Sequence, residues 1–314
     1  MRYRQTVPVV FILIFLAGVT VKSQTPASAA NYYEHGASKF ERGDFDGALA
    51  DYTRAIEISS HLSPAKSRSL SSANAFDAAE ADRIGVIDPI TARAYTNRGI
   101  VRLCKGDVDG AISDLDQAIR INSGLAEAHL ARGVAQRRRG DSKGALADFA
   151  RALSINPRLS EAYHDRADLL LAMGNLDGAI ADLNRALALK THLPETYYGF
   201  GYVCLAKKDF IGAIAYFDQA LQLKPEMAAA FQGRGTARMS QTDIPGAILD
   251  LSRALEIDPN LEYAYMNRGL ALLLQGKDAE AQKDFARCLE LKSDLKNDLN
   301  QRIELAKELR NKTP

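Results

Sequence analysis

The chain has 314 residues, 46% of them apolar and 25% charged, so it has ordinary globular composition and is long enough for a sizeable core or a repeat array. Of its 40 basic residues, Arg2, Arg4 and Lys22 fall in the first 29 positions, which hold no acid; the remainder carries 37 basic against 39 acidic side chains, no electrostatic footprint for nucleic acid. Its cysteines, Cys104, Cys204 and Cys288, are odd in number and far apart, which excludes a disulfide framework of the small secreted kind and reads as buried free thiols.

The first element has a basic start, an apolar run from Val9 to Val21 and a small-residue site at Ala27-Ser28-Ala29. This combination predicts a signal peptide over residues 1–29, removed after Ala29; the alternative is an uncleaved membrane anchor formed by residues 7–21. A buried first helix fits less well, because so uniform an apolar run has no polar face to turn to water. The mature chain is therefore expected to be exported, periplasmic or secreted, and to meet a membrane only if the segment stays on.

Beyond residue 29 the chain writes one phrase seven times, as in "GDVDGAISDLDQAI" from Gly106 and "GNLDGAIADLNRAL" from Gly174. The alanines Ala111, Ala145, Ala179, Ala213, Ala247 and Ala281 recur every 34 residues, while Ala48 stands one period and 29 additional residues before Ala111. A fixed period of this size marks a repeat architecture. Within one copy, Tyr163, Ala167, Leu170 and Leu171 recur at helical spacing, Gly174-Asn175 interrupts, and Leu176, Ile180, Leu183 and Leu187 resume it, so each repeat is helix, turn, helix. The spacing predicts repeats at 30–62, 92–125, 126–159, 160–193, 194–227, 228–261 and 262–295.

Gly43, Gly106, Gly140, Gly174 and Gly276 stand where the first helix must stop in a left-handed residue. Lys208 and Thr242 take that place in repeats 5 and 6, where the turns are expected to be strained. The 29 additional residues form an insertion over 63–91, read as a mobile loop over Ser63 to Ala73 and a short helix over Ala75 to Ile87 that ends at Asp88-Pro89. It is either a lid over the repeats or a tolerated surface insertion. At the other end, Leu295, Leu299, Ile303, Ala306 and Leu309 form an apolar stripe, which predicts a capping helix within 296–314.

The repeated residues resemble the tetratricopeptide repeat: an aromatic early in the first helix (Tyr32, Tyr95, Tyr163, Tyr197, Phe231, Tyr265), a small residue four positions on, Gly-Asp, Ala, an aromatic or Leu, Ala, and Pro at 157, 225 and 259. His129 replaces the aromatic in repeat 3. The resemblance implies an all-α fold, a right-handed α-solenoid of seven repeats, with a concave groove lined by the free faces of the first helices where similar proteins bind peptides. Relatives that clamp acidic carboxyl ends use Lys and Asn, and this chain has Tyr33, Ala37, Thr96 and Leu130 where those side chains would project, so that specialisation is not implied.

Arg98 with Asp114, Arg132 with Asp148, Arg166 with Asp182, Arg234 with Asp250 and Arg268 with Asp284 keep one offset, first helix to second. His35 with Asp51 continues the series in repeat 1, and repeat 5 replaces both members together by Phe200 and Tyr216. Joint loss is what direct contact would produce, because one partner left alone is an uncompensated charge between helices. The set is therefore expected to be a structural ladder of ion pairs.

No phosphate loop, zinc-protease helix, Cys-x-x-Cys or nucleophile elbow occurs, and the five histidines stand apart without a second ligand at metal spacing. No enzyme, no cofactor and no metal site are expected. The free face of the first helices offers Tyr33 and Phe40 in repeat 1, Arg137 and Arg138 in repeat 3, His164 and Asp168 in repeat 4, Tyr198 and Tyr202 in repeat 5, and Met239 and Met266 beyond. Such side chains suit a peptide-accepting surface. Two functions suit this pattern: a non-catalytic exported scaffold for a protein or peptide partner, or a receptor for a small molecule or short oligomer held at the cluster Arg137, Arg138, His164 and Asp168.

Overall fold

The computed structural model of the protein describes residues 28–70, 89–190 and 193–312. The expected leader lies outside them, as do residues 71–88 of the insertion, including the expected Ala75–Ile87 helix. Two compact bodies divide the chain, one closing at Leu169 and the other opening at Leu170.

In the amino-terminal body α1 (Ala29–Glu41) pairs with α2 (Phe45–Leu70), α3 (Pro89–Cys104) with α4 (Val108–Ile121), and α5 (Ala126–Arg139) with α6 (Ser142–Ile155); α7 (Ser160–Ala172) comes next and contains the boundary. The carboxy-terminal body holds α8 (Leu176–Leu189), then α9 (Leu193–Ala206) with α10 (Phe210–Leu223), α11 (Ala228–Ser240) with α12 (Ile244–Ile257), and α13 (Glu262–Leu274) with α14 (Asp278–Leu291). The last helix, α15 (Lys296–Lys312), packs on α13.

These pairs form because each helix has one small-residue face. The alanines at 34-residue spacing are all fully buried, and Phe149 and Phe217 fill the space beside them, each such side chain contributing about 1.5–3 kcal/mol on burial. Gly133 shows how close the helices come: a Cβ there would lie 2.6 Å from the Phe149 ring and 3.3 Å from the Ala145 carbonyl oxygen.

The turns hold as the sequence requires. Gly106 has φ 83°, and Lys208 and Thr242 are forced to 61° and 64°, a conformation that costs a residue with a side chain about 1 kcal/mol. A second device was not anticipated. Asp107, Asp141, Asn175, Asp209 and Asp243 each cap the second helix of their repeat by accepting from the glycine N–H three residues on, at 2.9–3.0 Å. The glycine leaves room for the cap, since a Cβ at Gly110 would force the Asp107 carboxylate to shift. In repeat 7 both halves change together: Lys277 makes no side-chain cap, and Glu280 replaces the glycine.

Several expectations are corrected. Helix α2 runs on through Ser63 to Leu70 where a loop was expected; Ala65, Lys66, Arg68 and Leu70 are adequate helix formers, and Pro64 removes one donor without ending the helix. Pro89 opens α3, where its missing N–H costs nothing. Helix α1 starts at Ala29 and is capped by Ser28, whose hydroxyl accepts from Asn31 N at 3.2 Å. In α15, Leu299 and Ala306 are buried against Met266 and Leu273, but Leu309 is 50% exposed and lies off the packed stripe. Of the three thiols only Cys288 is buried; its pKa is pushed up to about 11, chiefly by burial.

Candidate functional site: seam and free face

Two surfaces run along the first helices, and the charged residues separate them. On the seam between helices, Arg98, Arg132, Arg234 and Arg268 each grip their aspartate with two nitrogens at 2.6–2.9 Å. The partners Asp114, Asp148, Asp250 and Asp284 are all buried. Each guanidinium also reaches back to the second helix of the preceding repeat: Arg132 to Asp116 at 2.7 Å, Arg234 to Asp218 at 2.5 Å, Arg98 to the Thr53 hydroxyl at 3.0 Å and Arg268 to that of Ser252 at 3.2 Å. Arg98, Arg234 and Arg268 also lie over the aromatic rings three residues earlier, for example Arg98 at 5.3 Å from the Tyr95 centroid. One side chain thus ties three helices.

The ladder continues with altered chemistry. In repeat 5, Phe200 stacks on Tyr216 with centroids 5.3 Å apart, so the jointly replaced pair is a contact. In repeat 1 His35 is exposed, and Asp51 instead pairs with Lys39 at 2.8 Å. Lys39 is one turn beyond His35, the position that Arg102 and Arg238 occupy in repeats 2 and 6, where they add a second cation to Asp114 at 3.0 Å and Asp250 at 2.9 Å. His129, in place of an aromatic, brings Nδ1 to 3.0 Å from Asp148 Oδ1. Arg166 and Asp182 belong to different bodies; the Arg166 guanidinium lies 5.9 Å from the Tyr163 centroid.

The seven expected groove residues fall in both bodies and form separate groups. Tyr33 on α1 is half-buried, its ring 5.8 Å from Tyr52, and its hydroxyl accepts from Asn97 Nδ2 at 3.1 Å. Burial raises the Tyr33 pKa, partly offset by that hydrogen bond. Tyr198 and Tyr202 on α9 meet edge to face at 4.8 Å, and both lie against Phe217, at 6.1 and 5.5 Å. All three tyrosines therefore support the core while showing an edge to solvent. Met266, expected in the groove, is fully buried beneath α15.

The arginine pair on α5 is committed within the protein. Arg137 donates to Asp165 Oδ1 at 2.9 Å, and Arg138 donates to the Leu103 carbonyl at the end of α3 at 2.6 Å. A ready-made acceptor for an acidic segment is therefore not present at these two residues. In its place stands an acidic pair, Asp165 and Asp168, on the free face of α7, with half-buried His164 beside it. Asp165 is 3% exposed, and its Oδ2 is buried without a hydrogen-bond donor. Burial raises its pKa against the pull of Arg137. Half-buried Asp168 is pushed up to about 7, first by burial and then by the charge of Asp165, with Arg137 opposing. Asp165 is not among the residues the sequence singles out; its signal was an acid one turn before Asp168.

Among the described residues no cluster of three His, Cys, Asp or Glu could hold a metal, and no helix is long and apolar enough to cross a membrane.

Tetratricopeptide-repeat family models match residues 65–126, 106–160 and 164–228, and again 262–295, and a further TPR model matches 235–276. The chain belongs to the tetratricopeptide-repeat family. Its helical-repeat fold is that of a tetratricopeptide repeat protein from Parabacteroides merdae, with a TM-score of 0.64 at 17% identity over 88% of this chain and 98% of that one. A chain of the APC/C hetero-tetramer Cut9–Hcn1 matches with a TM-score of 0.63 at 21% identity, over 85% of this chain and 54% of that one. PilF of Pseudomonas aeruginosa matches at 0.55 and 17% identity, over 64% and 92%. At these identities the likeness is one of fold. No curated protein sequence matches the chain.

Proposed function

We propose that the protein is a non-catalytic, exported scaffold that binds a segment of a protein partner along the free faces of its first helices. Tetratricopeptide arrays are generally protein-interaction scaffolds, and one observation carries the reading to this chain. The seam repeats the same Arg–Asp chemistry in four repeats, whereas the free face differs from one repeat to the next, with Tyr33 and Asn97 at one place, Asp165 and Asp168 at another, and Tyr198 with Tyr202 at a third. Packing demands uniformity, so variation on the face that packing leaves open is where recognition resides. Export rests on the basic start, apolar run and small-residue site of residues 1–29. The small-molecule alternative loses support, because Arg137 and Arg138 are already engaged within the protein.

The test is site-specific photo-crosslinking of the full chain in its native host. A crosslinkable phenylalanine at Tyr202, on the free face, should capture a partner that the same group at Ile211, 75% exposed on the second helix α10, does not. Equal capture at both positions, or capture at Ile211 alone, would refute the assignment of the face.

A further inference from the structure

We propose that Asp165 and Asp168 form a receptor for one cationic side chain, lysine or arginine, of a protein partner; this rests on the scaffold reading above and gives the partner its chemistry. Four of the seam acids look different, and the fifth, Asp51, has Lys39 2.8 Å from the oxygen that lacks a hydrogen bond. Asp148 and Asp284 lie on the seam with both oxygens held by one arginine, and Asp114 and Asp250 each have two arginines. Asp165 is as deeply buried, yet only Oδ1 has a donor. An acceptor taken out of water and left unmet is unfavourable, and folds satisfy such groups almost everywhere.

The fold itself does not ask for these acids. The positions 34 residues earlier in repeat 3 hold Ala131 and Val134, and those of repeat 2 hold Asn97 and Ile100. Arg137 is the one guanidinium hydrogen-bonded to this pair, Arg138 acts on Asp165 only through its more distant charge, and Glu161 adds a further negative field there. The pair lacks a second hydrogen-bonded positive charge. Half-buried Asp168 is its solvent side and Asp165 its floor, so an arriving ammonium or guanidinium meets Asp168 first and supplies that charge. With no third acid, His or Cys positioned for a metal among the described residues, a hydrogen-bonding organic cation fits better than a metal ion.

The experiment measures fluorescence anisotropy of labelled decalysine with the full chain at low salt, against Asp168→Asn, Asp165→Asn and a control, Asp109→Asn, an exposed acid in the first turn of α4. Asp168→Asn and Asp165→Asn should each weaken binding by about tenfold or more, the control should not, and decaglutamate should stay unbound. Asp165→Asn keeps an acceptor for Arg137; should its unfolding temperature fall, Asp168→Asn alone decides. Decalysine held equally by Asp168→Asn, or not held by the unaltered chain, overturns the inference. If that happens while crosslinks at Tyr202 persist, the receptor assignment fails and the scaffold reading stands; loss of the crosslinks themselves is the failure of the scaffold reading.

Discussion

Asp284 and Asp165 are both buried aspartates facing an arginine, one on the seam and one on the free face. On the seam of repeats 2, 3, 6 and 7 both carboxylate oxygens are held by an arginine, and in repeat 5 the charge is lost together with its partner, at Phe200 and Tyr216. On the free face the pairing is partial, occurs once and leaves an oxygen without a donor. Burial alone thus does not separate structure from recognition in this protein. Between these two, completeness of pairing does.

The largest test of that contrast lies on the seam. Arg268→Ala leaves Asp284 buried without the guanidinium that holds both its oxygens, and should cost about 3 kcal/mol or more in denaturant unfolding. Arg98→Ala and Arg234→Ala should each cost visibly less, because Arg102 and Arg238 remain on Asp114 and Asp250. Equal losses at all three sites would mean that the second cation contributes nothing.

On the free face the sign reverses. The Asp168 pKa of about 7 lies above that of an unfolded aspartate, so the folded state keeps a proton that the unfolded chain gives up. Stability from this group falls as pH rises from about 4 to 7 and stays low above it. Asp168→Asn should therefore raise the unfolding temperature at pH 8, and the gain should vanish towards pH 4. A gain independent of pH would show that the carboxyl is not held in its protonated form.

The smallest effect concerns the turns that both surfaces share. Lys208→Gly and Thr242→Gly relieve a left-handed backbone and should each stabilise by about 0.5–1 kcal/mol, whereas Gly106→Ala should lose a similar amount. Thermal unfolding of the three variants checks this, and a loss at Lys208→Gly would show that its side chain contributes more than the turn strain removes.

The helical pairs within each body, their turns and the seam were legible in the sequence because each rests on local chemistry repeated at a fixed period. A left-handed residue calls for Gly106 wherever it occurs, and a constant offset ties Arg132 to Asp148. The caps are written there too, in Asp107 with Gly110, but the same glycine pattern reads equally well as a matter of helix approach. Lys39 replaced His35 because a cation one helical turn away reaches the same carboxylate. The free face was harder: Arg137 finds Asp165 28 residues on, and Arg138 finds the Leu103 carbonyl 35 residues back, partners that no period announces. Composition misled at α2, where serines suggested a loop and the helix simply continued.

Each seam arginine spans three helices, so neighbouring repeats communicate through a line of pairwise couplings, and such a line is only as cooperative as its weakest link. Sixteen residues before Arg132 stands Asp116 and sixteen before Arg234 stands Asp218, so each of these arginines closes a triad over two repeats of its own body. Within a body, a repeat held this way cannot open alone without stripping a buried carboxylate of its partner, so under load or heat the linked repeats yield together.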